Sequence, residues 1–191
     1  MDQELEVKFR IPVRERFRQA LRRRGAQLKH PRVLETNLRF DNAGGSFSSS
    51  LQVLRLRQDT VARLTYKSPQ GLDGGVLSRR EIEFSVDDFE AARRFLEAIG
   101  YHVYAKYEKY RETFVLNDVE ITIDEMPFGV FTEMEAETPE QLRETAESLS
   151  LPWDERINIS YMEIFDRLRR ENGWDFNDLT FENLQGMEFE L

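Results

Sequence analysis

The sequence predicts an α+β protein, a closed antiparallel β-barrel with helices packed outside it. Three observations carry that expectation. Runs alternating charged and apolar side chains recur along the chain. Two of them lead into helical stretches with one apolar stripe. The order strand, helix, strands then occurs twice, which is the signature of a duplicated supersecondary unit.

The first run is Glu4-Leu5-Glu6-Val7-Lys8-Phe9-Arg10-Ile11. Successive side chains of a strand point to opposite faces, so Glu4, Glu6, Lys8 and Arg10 share one face and Leu5, Val7, Phe9 and Ile11 the other. Taken alone, the run reads as a solvated edge strand or as the wall of a polar interior. Pro12 suits a first helical turn, Phe17, Ala20, Leu21 and Arg24 follow helical spacing, and Gly25 suits its end. Arg14, Arg16, Arg18, Arg22 and Arg23 form the opposite face, expected to be solvated.

Alternation resumes at 33–41, where Asn37, Arg39 and Asp41 oppose Leu38 and Phe40. The serine- and glycine-rich stretch 42–50 is expected as a loop. Runs 53–58 and 61–68, joined by Asp59-Thr60, read as a hairpin in which Arg55 and Arg57 fall on one face, as do Arg63, Thr65 and Lys67. The loop 69–75 lacks the Gly-Lys-Ser/Thr of a phosphate-cradling P-loop and is expected as a hairpin connection.

Run 79–86 echoes the opening: Glu81-Ile82-Glu83-Phe84 matches Glu4-Leu5-Glu6-Val7. Arg79, Glu81, Glu83 and Ser85 share its charged face. Ser85 or Asp87 is the expected cap of a helix with Phe89, Ala92, Phe95, Leu96 and Ile99 as its stripe, ending at Gly100. Strands are predicted at 103–116 (Lys109 and Arg111 together), 119–125 (Glu120, Thr122 and Asp124 opposite Val119, Ile121 and Ile123) and 130–137 (Phe131, Glu133, Glu135 and Glu137 together). Thr138-Pro139 opens a helix with Leu142, Ala146 and Leu149 buried, and a last helix spans 160–172. Residues 1–172 read as one domain built of two halves. Residues 173–191 form an acidic, aromatic tail that packs back as a lid or frays.

Helices need an apolar surface to cover, and the Leu, Val, Ile and Phe faces supply it, which leaves the charged faces pointing inward. Buried charges are tolerated when paired or bound to something. An interior with acids and an excess of Lys and Arg suits a metal-bound, highly anionic ligand; an exposed charged face on a flat sheet is the competing reading.

Composition narrows the classes further. With 191 residues, 40% hydrophobic and 33% charged, the chain suits one domain with a real core. Its net charge of −9 argues against nucleic acid and anionic membranes as partners. There is no cysteine, so no disulfide and no thiolate metal site. No leader pattern or membrane-spanning apolar run is visible, and a cytoplasmic protein is expected. His30 and His102 have no triad or metal pattern around them.

The chain resembles the CYTH superfamily, which contains class IV adenylate cyclases, thiamine triphosphatases and inorganic triphosphatases. Glu-x-Glu-x-Lys at Glu4, Glu6 and Lys8 is its signature. The match continues through Leu54-Arg55-Leu56-Arg57, Leu64-Thr65-Tyr66-Lys67, Ser78-Arg79-Arg80-Glu81-Ile82-Glu83, Lys109-Tyr110-Arg111, Ile123-Asp124, Gly129 to Glu135, and Ser160-Tyr161. It covers about residues 1 to 165 and looks closest to the cyclase-like branch. The resemblance implies an eight-stranded triphosphate tunnel. It implies Glu4, Glu6, Asp124, Glu133 and Glu135 as ligands of Mg²⁺ or Mn²⁺, hard ions that take oxygen donors. It implies Lys8, Arg55, Arg57, Lys67, Arg79, Lys109 and Arg111 as the triphosphate clamp, with Arg39 a weaker candidate because relatives commonly carry Tyr there. Glu4, Glu6 and Lys8 are the expected catalytic group. The implied partner is a small molecule bearing a triphosphate. The expected activity is a triphosphatase, with an adenylate cyclase or a non-catalytic polyphosphate sensor as alternatives. A homodimer through an exposed barrel edge is left open.

Overall fold

The computed structural model describes residues 3–69 and 71–189; the few positions of the expected 69–75 loop, tail and N-terminus beyond these lie outside the described residues. The strands are β1 (Gln3–Arg10), β2 (Gln27–Asn42), β3 (Val53–Gln58), β4 (Ala62–Lys67), β5 (Gly71–Asp73), β6 (Val76–Val86), β7 (Tyr101–Leu116), β8 (Val119–Met126) and β9 (Gly129–Ala136). The helices are α1 (Arg14–Arg23), α2 (Ser46–Ser49), α3 (Phe89–Ala98), α4 (Pro139–Ser148) and α5 (Tyr161–Asn172).

The sheet runs β1-β9-β8-β7-β2-β3-β4-β6-β5, and β6 also pairs with β1, which closes it into a barrel. β1 and β5 both pair with Leu77 and Ser78, so they lie on opposite edges of β6. β4 pairs with residues 81–86 on the same edge as β5. β5 therefore continues β4 after a break, and the ring has eight positions, as predicted. Every neighbouring pair is antiparallel.

The apolar faces are outside the ring and under helices. Leu5, Val7 and Phe9 of β1 pack with Ile121, Ile123 and Met134 beneath Phe17 and Leu21 of α1 and Leu142 and Ala146 of α4. Leu38, Phe40 and Leu56 pack under Leu96 of α3. Burying side chains of this size stabilises the fold by about 1.5–3 kcal/mol each, which is why the alternation commits one face outward. The two matching helices both end at glycines with left-handed backbone, Gly25 at φ +85° and Gly100 at φ +95°, a conformation costly for any residue with a Cβ.

Several local expectations are corrected. Pro12 lies before α1, whose N-cap is Val13. Asp88 caps α3, accepting from the Ala91 N–H at 2.9 Å, in place of Ser85 or Asp87. The serine loop contains α2. It is held by Asp41, whose Oδ1 accepts from the Phe47 N–H at 3.0 Å and whose Oδ2 accepts from the Ser48 N–H at 2.8 Å. The loop before β6 contains β5. β2 begins at Gln27, because its first half is held by pairing with β7 through two irregularities in register. The face of α1 is not wholly solvated: Arg18 pairs with the buried Glu112 at 3.0 Å, and Arg14 with the same carboxylate at 3.3 Å. Thr138 and Gln141 form the capping box of α4 that the Thr-Pro start announced.

The tail packs back. Trp174, Phe176 and Phe189 join Phe165, Leu168 and Leu179 in one cluster. Leu179 bridges to Tyr107, on the edge of β7 that β8 leaves uncovered beyond Tyr110. Among the described residues, no helix is long and apolar enough to cross a membrane.

Candidate functional site

The charged faces point inward. They enclose a cavity of about 580 Å³, within the range of small-molecule sites. Among the described residues its wall carries nine cationic and nine acidic side chains, so the expected excess of Lys and Arg is not there. Every predicted clamp residue lines it: Lys8, Arg55, Arg57, Lys67, Arg79, Lys109 and Arg111. So do Glu4, Glu6, Glu133 and Glu135, with Asp124 immediately behind the wall.

Barrel register decides which charges meet. Glu4 stands opposite Arg79 and pairs with it at 3.4 Å, and with Lys67 at 2.7 Å. Lys67 also meets Glu81, its cross-strand partner, at 2.8 Å. Lys8 is opposite Glu133 and lies 3.0 Å from it and 3.3 Å from Glu6. Burial works against the Lys8 charge, yet Glu133 and then Glu6 outweigh it and hold its pKa above the usual lysine value. In return Glu133, which burial alone would push up, is held well below the carboxylate range by Lys8, Lys109 and Arg111.

Asp124 is wholly buried. Arg111 Nε donates to its Oδ1 at 2.7 Å; Lys109 Nζ at 3.0 Å and the Tyr161 hydroxyl at 2.9 Å donate to Oδ2. Both oxygens are therefore engaged by cations and a hydroxyl. Tyr161 is held in its protonated form by burial and by Asp124 beside it. The Lys8 ammonium stands 4.4 Å over its ring, a cation–π contact in a desolvated place.

Sequence reading missed Glu35. It is buried on the inner face of β2, where it accepts from the Asn37 amide at 2.9 Å. It pairs with Arg57 at 3.5 Å and Lys109 at 3.7 Å. Burial would neutralise it, but Lys109, Arg111, Arg57 and Arg55 hold its pKa far below the usual range. The signal was present: Glu35 has the same parity as Asn37, Arg39 and Asp41. Glu83 pairs with Arg57 at 2.9 Å, Arg55 at 3.4 Å and Arg63 at 3.7 Å. Arg55 Nη1 donates to the Tyr107 hydroxyl at 3.2 Å.

One part of the wall sets three acids side by side, although Glu6 also meets Lys8 and Glu120 also meets Lys29. Glu6, Glu135 and Glu120 are in direct register across β1, β9 and β8. Like charges placed so are destabilising. Although Glu135 is open to the cavity, the surrounding protein desolvates it, and Glu4, Glu81 and Glu120 add repulsion. Its pKa is pushed up to about 7. Among the described residues no three such groups are drawn together as a ready-made metal site. The oxygen-only donors and their mutual repulsion nevertheless fit a hard divalent cation.

Comparison with known proteins places the chain in a family. Residues 2–160 match the family described as CYTH domain. A protein of Methanocaldococcus jannaschii named "Putative adenylate cyclase" is 26% identical over 172 residues, covering 84% of this chain and 97% of its own length. A Vibrio parahaemolyticus structure, also described as a "putative adenylate cyclase", superposes with a TM-score of 0.75 at 22% identity, covering 85% of this chain and 97% of its own. A Hippeastrum structure, described as a "putative adenylyl cyclase" with a dominant triphosphatase activity, gives 0.63 at 21% identity, covering 86% and 95%.

Proposed function

The chain belongs to the CYTH domain family, and from that premise we propose that it is a metal-dependent phosphohydrolase that cleaves a triphosphate inside the barrel. The observation that carries the reading is the balanced charge of the wall. A polyanion can take over the cations only if the carboxylates released find another positive partner. Glu4, Glu6 and Glu135, with Glu133 once freed from Lys8, are the donors for Mg²⁺ or Mn²⁺. That ion, when bound, supplies positive charge for the carboxylates and the phosphate oxygens together.

The other residues divide the remaining work. Lys8, Lys67, Arg55, Arg57 and Arg79 bind and align the phosphates, the arginines by two-pronged hydrogen bonds and the lysines as point charges. Asp124 and Glu35 act as buried counter-charges that hold Lys109, Arg111 and Arg57 in place. Water attacks the terminal phosphorus, the bond to the bridging oxygen breaks, and orthophosphate and the shortened phosphate leave. In-line displacement of this kind is catalysed mostly by positioning and charge.

Hydrolysis is favoured over cyclisation because, among the described residues, the wall offers no pair of rings to sandwich a base. Of its aromatic side chains, Tyr107 and Tyr161 are buried with hydroxyls tied to Arg55 and Asp124, which leaves Tyr104. Cyclisation of ATP is the second reading, favoured by the name of the Methanocaldococcus relative.

³¹P NMR of the purified protein with Mg²⁺ or Mn²⁺ and either tripolyphosphate or ATP separates the readings. Orthophosphate from tripolyphosphate supports the hydrolase. Pyrophosphate with cyclic AMP from ATP replaces it with the cyclase, and tight binding without turnover replaces it with a sensor.

A further inference from the structure

Eight of the nine cations on the cavity wall lie within 4.0 Å of a carboxylate. Arg39 is the exception among the described residues. It stands directly opposite Arg55 on the neighbouring strand, so two guanidinium-bearing positions share one rung. Its guanidinium lies 5.9 Å from the ring centre of Tyr104, and its buried Nε has no acceptor.

Asp41 and Asp166, the acids that act on the neighbouring Tyr104, and Glu163 of the cavity wall are committed elsewhere. Asp41, two residues along the same face, accepts from the Asn42, Phe47 and Ser48 N–H groups and from the Ser48 hydroxyl. Asp166 pairs with Arg169 at 3.5 Å, and Glu163 with Arg167 at 3.9 Å. A cation in this setting costs free energy while it stays uncompensated, and like charges in register add to that cost. An anion bridging Arg39 and Arg55 reverses both terms, and it displaces no carboxylate from Arg39.

We propose that Arg39 is a specificity-determining residue that binds a further phosphate beyond the three-phosphate clamp, so that the chain prefers linear polyphosphates of four or more phosphates. This rests on reading the cavity as a phosphate site. Arg55 already belongs to the clamp, so a phosphate shared with Arg39 is the next along a continuous anionic chain. A nucleoside triphosphate would instead bring a neutral base or sugar to an unpaired guanidinium and leave its charge unmet.

The test compares tripolyphosphate, tetrapolyphosphate and ATP with Mg²⁺ for the wild type, Arg39→Ala and Arg39→Lys, with circular dichroism confirming the fold. The wild type is expected to show a lower KM for tetrapolyphosphate than for tripolyphosphate. Arg39→Ala should reduce that ratio of KM values about tenfold, the size of one charge-assisted phosphate contact, and Arg39→Lys should restore most of it. Equal effects on both polyphosphates, no effect, or a largest effect on ATP overturns the proposal. If the wild type turns over none of the three, the hydrolase reading fails separately. The same ratio, taken from calorimetric dissociation constants, then decides the role of Arg39.

Discussion

Arg111 and Asp124 face each other across β7 and β8 and meet through paired hydrogen bonds, Nε to Oδ1 at 2.7 Å and Nη2 to Oδ2 at 2.5 Å. Asp124 also takes Lys109 and the Tyr161 hydroxyl. Removing its charge leaves two buried cations short of their counter-ion. Asp124→Asn should destabilise the protein by about 3–5 kcal/mol, and Tyr161→Phe by only about 1 kcal/mol. Urea unfolding of both variants checks this; equal losses would contradict the central place given to Asp124.

Glu6→Gln keeps the shape of the side chain but removes a proposed metal donor. The variant should fold normally and lose roughly 100-fold or more in kcat/KM. A rate equal to wild type in a steady-state phosphate-release assay would remove Glu6 from the metal set.

Arg57 meets Glu35 and Glu83 at the cavity wall. In the proposed complex its contacts go to phosphate. Arg57→Ala should therefore act mainly on binding, raising KM about tenfold with a smaller change in kcat. An unaltered half-saturation concentration would count against the clamp assignment.

Glu135 gives the pH dependence. Its folded pKa of about 7 lies above the ordinary carboxylate value, through burial first and then its acidic neighbours. A raised pKa means that its contribution to stability is complete below the ordinary value and is lost as pH rises through about 7. In metal-free protein, Glu135→Gln and wild type should have similar Tm at pH 5, and the variant should be the more stable at pH 8. Divalent-cation affinity should run the other way, rising from pH 6 to pH 8 in wild type with release of a proton on binding. A flat affinity profile from calorimetry would exclude Glu135 as a ligand.

Much of this was legible because period-two alternation is a local signal. Glu4, Glu6 and Lys8 could be placed on one face from β1 alone, and the echo in β6 showed that the face was internal. Pairings were not legible, because they depend on register around a closed ring. Nothing local says that Lys67 reaches Glu4, 63 residues away, or that Glu83 serves Arg55 and Arg57. Glu35 was overlooked because strand-like alternation was read from 33 and its inner face only from Asn37, whereas backbone pairing with β7 extends β2 back to Gln27. The α2 turn was hidden for the same reason. What fixes it is Asp41, upstream in the sequence and on a strand.

β7 carries charge on both faces. Lys109 and Arg111 are tied inward to Asp124, while Glu112 is tied outward to Arg14 and Arg18 of α1. A backbone ladder to β2 holds one edge from Tyr101 to Val115, and a ladder to β8 holds the other from Tyr110 to Leu116. A strand fastened in four directions works as a keel: it has little freedom to yield when the contents of the barrel change. In the eight-position ring β6 stands directly opposite this keel, and it carries Arg79, Glu81 and Glu83 on the cavity wall.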